Sequence, residues 1–327
     1  MDRRLEVRGC KLLRDVVLIS LQIGKEEGDL KCSLFDDLAK NKINIVYISS
    51  INEGKETLSI AIEKDDYERV STYFDEKFRD IFKAAYPASI FSLFPYRNDP
   101  SIMDLFLDLL RERVFNIISL CNSNSAISIV LHESHTDRFT SFIKETFDLQ
   151  GDQWPMDWKK VQTGNEGLYR EVVASYQEKR PKVYGLELFK DISLLKGILK
   201  KDSIGTLSSY LRGISEKGKE IIFVSQNWTE DTDSISLSFC YRGKYEALTS
   251  TPLSRNYGFV FSMNGPHFGE RYGICRGMLR GFKKENIELF SLNCTVASIR
   301  GVIHPDHTEK AISILKEHFE IPTIVER

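Results

Sequence analysis

The stretch Ile118–Phe147, "ISLCNSNSAISIVLHESHTDRFTSFIKETF", returns 172 positions later as Phe290–Phe319, "FSLNCTVASIRGVIHPDHTEKAISILKEHF". Ser119, Leu120, Ile127, Val130, His132, His135, Thr136, Lys144, Glu145 and Phe147 all meet identical residues. Chance is a poor account of so many identities in one register, so the chain is read as carrying an internal duplication. A second alignment, offset by 176, places Val7 on Val183, Gly9 on Gly185, Leu12 on Leu188 and Asp15 on Asp191, and sets "INIVYIS" from Ile43 on "KEIIFVS" from Lys219. The two offsets together predict two halves, each made of two smaller units.

Periodicity within the units gives a common order of strand, helix, strand, strand, helix. In the first, "DVVLISLQI" is β-branched and apolar, Leu30, Leu34 and Leu38 share a helical face, "INIVYIS" and "TLSIAIE" read as strands, and Val70, Phe74 and Phe78 form a second helical stripe. The second unit repeats the order, with Ile102, Phe106, Leu109 and Leu110 and then Phe139, Ile143 and Phe147 as its stripes. The fourth carries Ile274, Met278 and Phe282, then Ala311, Leu315 and Phe319. The third is the least regular, its closing helix shortened to "GKYEALT". The units are predicted at 1–85, 86–150, 181–254 and 255–327, with 151–180 a linker carrying one helix. Such units lay helices over one face of an antiparallel sheet, an α+β arrangement.

The 327 residues, 42% of them hydrophobic, can bury a large core. With 45 basic against 47 acidic side chains there is no field to draw the chain onto nucleic acid or anionic lipid, and a small ligand fits better. Six scattered cysteines without a C-x-x-C pair point to a reducing compartment. No apolar run approaches the roughly 18 residues that span a bilayer, so a cytoplasmic location is expected.

Repeated in register, the unit resembles the ACT domain, specifically the tandem ACT pairs at the regulatory end of aspartate kinases. The resemblance is carried by "ERYGI" (Glu270 to Ile274) and "KDSIG" (Lys201 to Gly205), similar to the family's turn before the first helix, and by "INIVYIS" with "EGKETLSIAIEKDDYERV". It implies four ferredoxin-like ACT units of βαββαβ type in two tandem pairs, with antiparallel sheets and helices on one face. It also implies that an amino acid binds at the seam between two units, where the loop after the first strand meets a neighbour's strand. The glycine-rich opening of an aspartate kinase catalytic domain is absent from the start of the sequence. The chain is therefore expected not to be an enzyme but a regulatory protein that senses an amino acid and passes the change to a partner, either a second copy or a separate enzyme. The alternative is a scaffold or dimerisation module for such an enzyme, without ligand.

The expected ligand wall is "NGPHFGERYG": Asn264, Gly265, Pro266, His267, Phe268, Gly269, Glu270, Arg271, Tyr272 and Gly273. Its glycines permit close backbone approach, and the N–H groups that open the next helix suit a carboxylate. Asp202, Ser203 and Gly205 are added from the third unit. The bland reading is a glycine-lined turn with Glu270 near a positive helix end. A phosphate loop is the poorer fit, because the G-x-x-x-x-G-K-[ST] spacing is missing. The turns "GKEEGD" (Gly24 to Asp29) and "YRNDPS" (Tyr96 to Ser101) depart from the family pattern and are assigned to packing. Neither a cofactor nor a metal is expected. The pairs His132/His135 and His304/His307 sit where Ser134 or Asp306 can cap a helix, and nothing near them in sequence completes four ligands. Cys275 at a helix start is read as a core residue, and no residue is given a catalytic role.

Overall fold

The computed structural model describes residues 7, 9–94, 100–112, 114–123, 125–147, 149, 156–157, 178–200, 213–214, 219–229, 233–243, 253–266, 268–269, 271–295 and 297–327. Its strands are β1 (Gly9–Ile23), β2 (Ile45–Glu53), β3 (Lys55–Glu63), β4 (Phe82–Phe94), β5 (Ile117–Asn122), β6 (Ile127–His132), β7 (Met156–Asp157), β8 (Gly185–Lys200), β9 (Ile221–Thr229), β10 (Ser234–Arg242), β11 (Ser254–Asn264), β12 (Leu289–Thr295), β13 (Ser298–Ile303) and β14 (Ile324–Glu326). The helices are α1 (Gly28–Lys40), α2 (Lys64–Lys77), α3 (Pro100–Glu112), α4 (Thr136–Phe147), α5 (Ile274–Lys284) and α6 (Thr308–His318). The helix expected in the linker, where Leu168 and Val172 fall at helical spacing, lies outside the described residues, as do most of the helical segments of the third unit.

Twelve strands form one closed antiparallel ring in the order β10-β9-β5-β6-β4-β1-β3-β2-β12-β13-β11-β8, which closes from β8 back to β10. The expectation of four separate ferredoxin-like units in tandem pairs is corrected by this barrel. Two kinds of pairing override it. The long strands β1, β4, β8 and β11 are shared between neighbouring units, with β1 pairing β4 and β8 pairing β11 along most of their lengths. The ring is then completed between opposite halves of the chain, β2 with β12 and β5 with β9. Closure leaves none of the twelve with the unpaired edge that a separate four-stranded unit would present.

Alternation along each strand decides which side chains meet which layer. In β1, Val17, Ile19, Leu21 and Ile23 join the apolar core under α1, α2, α5 and α6, while Val16 and Leu18 point into the barrel. Earlier in the same strand Cys10 and Leu12 join a different outer core, the one under α3 and α4. The outward parity has changed. It changes because three steps from Leu13 to Val16 oppose two steps from Ile90 to Ala88, a bulge that inserts one residue and turns the strand from one sheet face to the other. β8 repeats the device: Leu186 and Leu188 serve the first outer core, Leu195 and Leu199 the second, with a bulge opposite Gly258 and Val260 between them.

Inside the barrel the β2–β12 seam faces the β5–β9 seam, and the contact is polar. Tyr47 Oη lies 2.6 Å from Ser119 Oγ, Ser49 Oγ 2.7 Å from Ser225 Oγ, and Ser119 Oγ donates to Asn227 Oδ1 at 2.6 Å. Arg300, wholly buried, donates from Nε to Ser262 Oγ at 3.3 Å and from its guanidinium to the Ile222 carbonyl. Groups this deep are costly unless satisfied, and these bonds hold the two seams in one register.

Candidate functional site

The sequence singled out the loop after β11, and the structure places it in the protein's own packing. The Asn264 carbonyl accepts from the Tyr184 N–H at 2.8 Å, and the Gly265 N–H donates to the Ala297 carbonyl at 2.9 Å. Pro266 and Tyr272 are half-buried. Phe268 is only 1% exposed, its ring centroid 5.8 Å from that of Phe319. Gly265 is needed because a Cβ there would stand 2.6 Å from the Phe268 ring and 2.8 Å from the Lys182 carbonyl. The close approach that its glycine permits is to the chain's own phenyl ring. The Gly269 carbonyl accepts from Asn44 Nδ2 at 2.6 Å, Arg271 stands 3.9 Å from Glu178, and Gly273 opens α5 with φ +77°. The space left beside this loop is about 20 Å³, room for about one water. His267, Glu270, Asp202, Ser203 and Gly205 lie outside the described residues.

An open cleft of about 380 Å³ lies on the other side of the same seam, within the size range of small-molecule sites. One wall is Gly24–Gly28 between β1 and α1, part of the "GKEEGD" turn assigned to packing from sequence. Glu27 Oε2 accepts from the Gly24 N–H at 2.6 Å, which shapes the entry to α1. The β2–β3 turn supplies a second wall, bent at Gly54 with φ +75°. The end of α5 and the start of β12 supply the third, through Lys283, Ile287, Glu288 and Leu289.

The cleft and the filled space are internal counterparts. The run from Lys40 through Ile43 to Ile45 matches that from Lys284 through Ile287 to Leu289, and Lys42 and Asn286 share a left-handed backbone at φ +58° and +54°. Where one copy is open, Phe268 fills the other.

Charges of both signs meet in the open copy. Lys31 Nζ is 2.5 Å from Glu56 Oε1, with each side chain only 12% exposed, and Ser50 Oγ also donates to that carboxylate. Asn52 Nδ2 donates to Glu288 Oε1 at 3.0 Å, while Lys283 pairs with Asp29 at the rim. A largely buried, hydrogen-bonded pair is held in one geometry, so an ammonium and a carboxylate are presented at fixed places. Cys32 lines the same cleft; burial pushes its thiol up, against the pull of Lys283 and Lys31. Sequence reasoning missed Lys31, Glu56 and Glu288 because they carry no motif and stand on elements far apart in the chain.

The other sequence candidates resolve into structural roles. His132 Nδ1 accepts from the Ser134 N–H and His304 Nδ1 from the Asp306 N–H, each at 3.3 Å, so the histidines cap these turns, not Ser134 or Asp306. Among the described residues no group of three His, Cys, Asp or Glu side chains is placed to hold a metal. Cys275 is buried; a hydrogen bond with Cys294 and burial raise its thiol well above the ordinary value, the reverse of an activated nucleophile. No helix among the described residues is long and apolar enough to cross a membrane.

No protein-family model and no curated protein matches the chain. Among solved structures it is similar to an aspartate kinase from Synechocystis, with a TM-score of 0.73 at 15% identity over 98% of this chain and 57% of that one. It is also matched by the ligand-free regulatory subunit of aspartate kinase from Thermus thermophilus, with a TM-score of 0.38 at 16% identity over 43% of this chain and 99% of that one. The alpha and beta subunits of an aspartokinase give 0.37 at 17% over 45% and 97%. The first likeness establishes an aspartokinase-like fold for the chain, which spans 57% of that kinase's length. The expectation that the chain is no enzyme is corrected by the same likeness, in which 98% of its residues match 57% of a chain that is an aspartate kinase.

Proposed function

We propose that this chain is the amino-acid-responsive body of an aspartate-kinase-like enzyme, and that a free α-amino acid binds in the cleft between Gly24–Gly28, the β2–β3 turn and the start of β12. The carrying observation is the Lys31–Glu56 pair in the cleft wall. A zwitterion brings one carboxylate and one ammonium, and Lys31 and Glu56 supply the partner for each at hydrogen-bond range of one another. Because the walls come from opposite halves of the chain, a ligand that touches both favours the arrangement in which the halves are drawn together. That closure is the signal passed to the kinase reaction. The aspartokinase-like fold supports the assignment to amino-acid metabolism.

The test is calorimetric titration of the protein with each common amino acid, alongside thermal unfolding. A ligand at 100 times its dissociation constant raises stability by about 2.7 kcal/mol. The paired substitution Lys31→Met with Glu56→Gln removes both charges at near-constant shape and is expected to weaken binding at least tenfold. If no amino acid binds, or the double variant binds as tightly as the parent, the reading is wrong.

A further inference from the structure

A second cleft, of about 610 Å³, runs between α5 and α6 on the outer surface, separate from the amino-acid cleft. Two glycines of α5 make it possible. A Cβ at Gly277 would lie 2.6 Å from His318 Nδ1, and one at Gly281 would lie 2.5 Å from Ile314 Cγ2, so the helices approach closely and these two side chains form the floor. Arg276, Arg280 and Lys284 follow at four-residue steps along one wall, and Lys310 stands on the other with Glu317.

Like charges at this spacing repel, and the structure offsets the repulsion only in part. Asp36 of α1, with 9% of its side chain exposed, accepts from Arg276 Nε at 2.6 Å and also binds the Arg280 guanidinium. One carboxylate thus orients two guanidinium groups and leaves a net positive charge, with further N–H donors on each free to face the cleft. Lys310 has Glu285 at 3.9 Å, whereas Lys284 has no ion-pair partner among the described residues.

We propose that this cleft binds an organic phosphate, its phosphate group held by Arg280, Lys284 and Arg276 and its organic part lying over His318 and Ile314. A phosphate dianion matches the fork of a guanidinium fixed from behind by Asp36, and it relieves the row of like charges. The volume exceeds what a bare anion fills, and the floor offers an imidazole face and an aliphatic branch to a ring or chain.

The test uses adenosine monophosphate and inorganic phosphate as probes, titrated by calorimetry at constant ionic strength. Adenosine monophosphate is expected to bind saturably, at least tenfold more tightly than inorganic phosphate. Arg280→Gln with Lys284→Gln is expected to weaken it at least tenfold, as is Lys284→Gln alone to a smaller extent, while Lys64→Gln on α2 leaves it unchanged. Absence of saturable binding, equal affinity for the two probes, or equal weakening by Lys64→Gln would each overturn the proposal. The Lys31→Met with Glu56→Gln variant is expected to bind the nucleotide normally, which separates this site from the first.

Discussion

Asp15 and Asp191 hold the same left-handed backbone, φ +54° and +55°, at the points where β1 and β8 pass from one outer core to the other. They are counterparts at the offset of 176 seen in the sequence. Aspartate tolerates this region better than most side chains, and the bulge beside each residue requires it.

Substitution at these bends should therefore track backbone preference. Asp191→Val and Asp15→Val place a β-branched residue where such residues are outliers and are expected to lower stability by about 1–2 kcal/mol more than the matching glycine substitutions. Urea unfolding midpoints check this. Equal losses for valine and glycine would show that the bends carry no strain.

Phe268 is a core residue of the filled copy of the seam, so Phe268→Ala should cost about 3–5 kcal/mol. The vacated space beside Ile43, Ile45 and Cys294 is apolar. A small aromatic such as indole is expected to bind there and restore part of the loss, as a shift in thermal midpoint. A loss under about 1 kcal/mol would place Phe268 outside the core.

Cys32 is half-buried in the open cleft, while Cys10, Cys121, Cys240, Cys275 and Cys294 are buried. A small alkylating reagent should label one thiol in the native protein, and Cys32→Ser should abolish the labelling. Burial raises the Cys32 thiol, so the labelling rate should climb to a midpoint above that of a free thiol. Bound amino acid is expected to slow it. Labelling that the ligand leaves unchanged would separate Cys32 from the binding cleft.

The acid limb of stability should depend on Asp37. Burial pushes its carboxyl up, but hydrogen bonds from Lys77 and from Tyr73 Oη, 2.5 Å away, outweigh it and hold the group below the ordinary value of 3.8. A carboxyl depressed in the native state adds stability above its unfolded value, and that contribution is lost as pH falls through the native one. Asp37→Asn should thus lower stability at neutral pH and flatten the fall below about pH 4 in pH-dependent urea unfolding. An unchanged acid limb would remove Asp37 from the account.

The helical stripes were legible because burial imposes a period on the sequence: Leu34 and Leu38, Val70 and Phe74, Phe139 and Ile143, Met278 and Phe282 all face a core. The duplication was legible for the same local reason, and β2 with β9, or β5 with β12, fall at its offsets. The bend at Asp15 left a trace too, since its counterpart Asp191 stood in the alignment, though identity alone does not reveal backbone angles.

The ring closure left no such trace. Alternation specifies which face of β2 is buried but not which strand lies at its edge, so nothing local distinguishes a pairing with β12 from one within its own half. The site followed the same rule. Lys31 and Glu56 read as ordinary surface charges in sequence, and only the approach of α5 and β12 makes the walls of a cleft around them. The glycines of "NGPHFG" announced a close backbone approach, and that much the sequence determined. What approached was Phe268, whose burial depends on contacts with Phe319 and with the bare backbone of Gly265 that only the tertiary structure assembles.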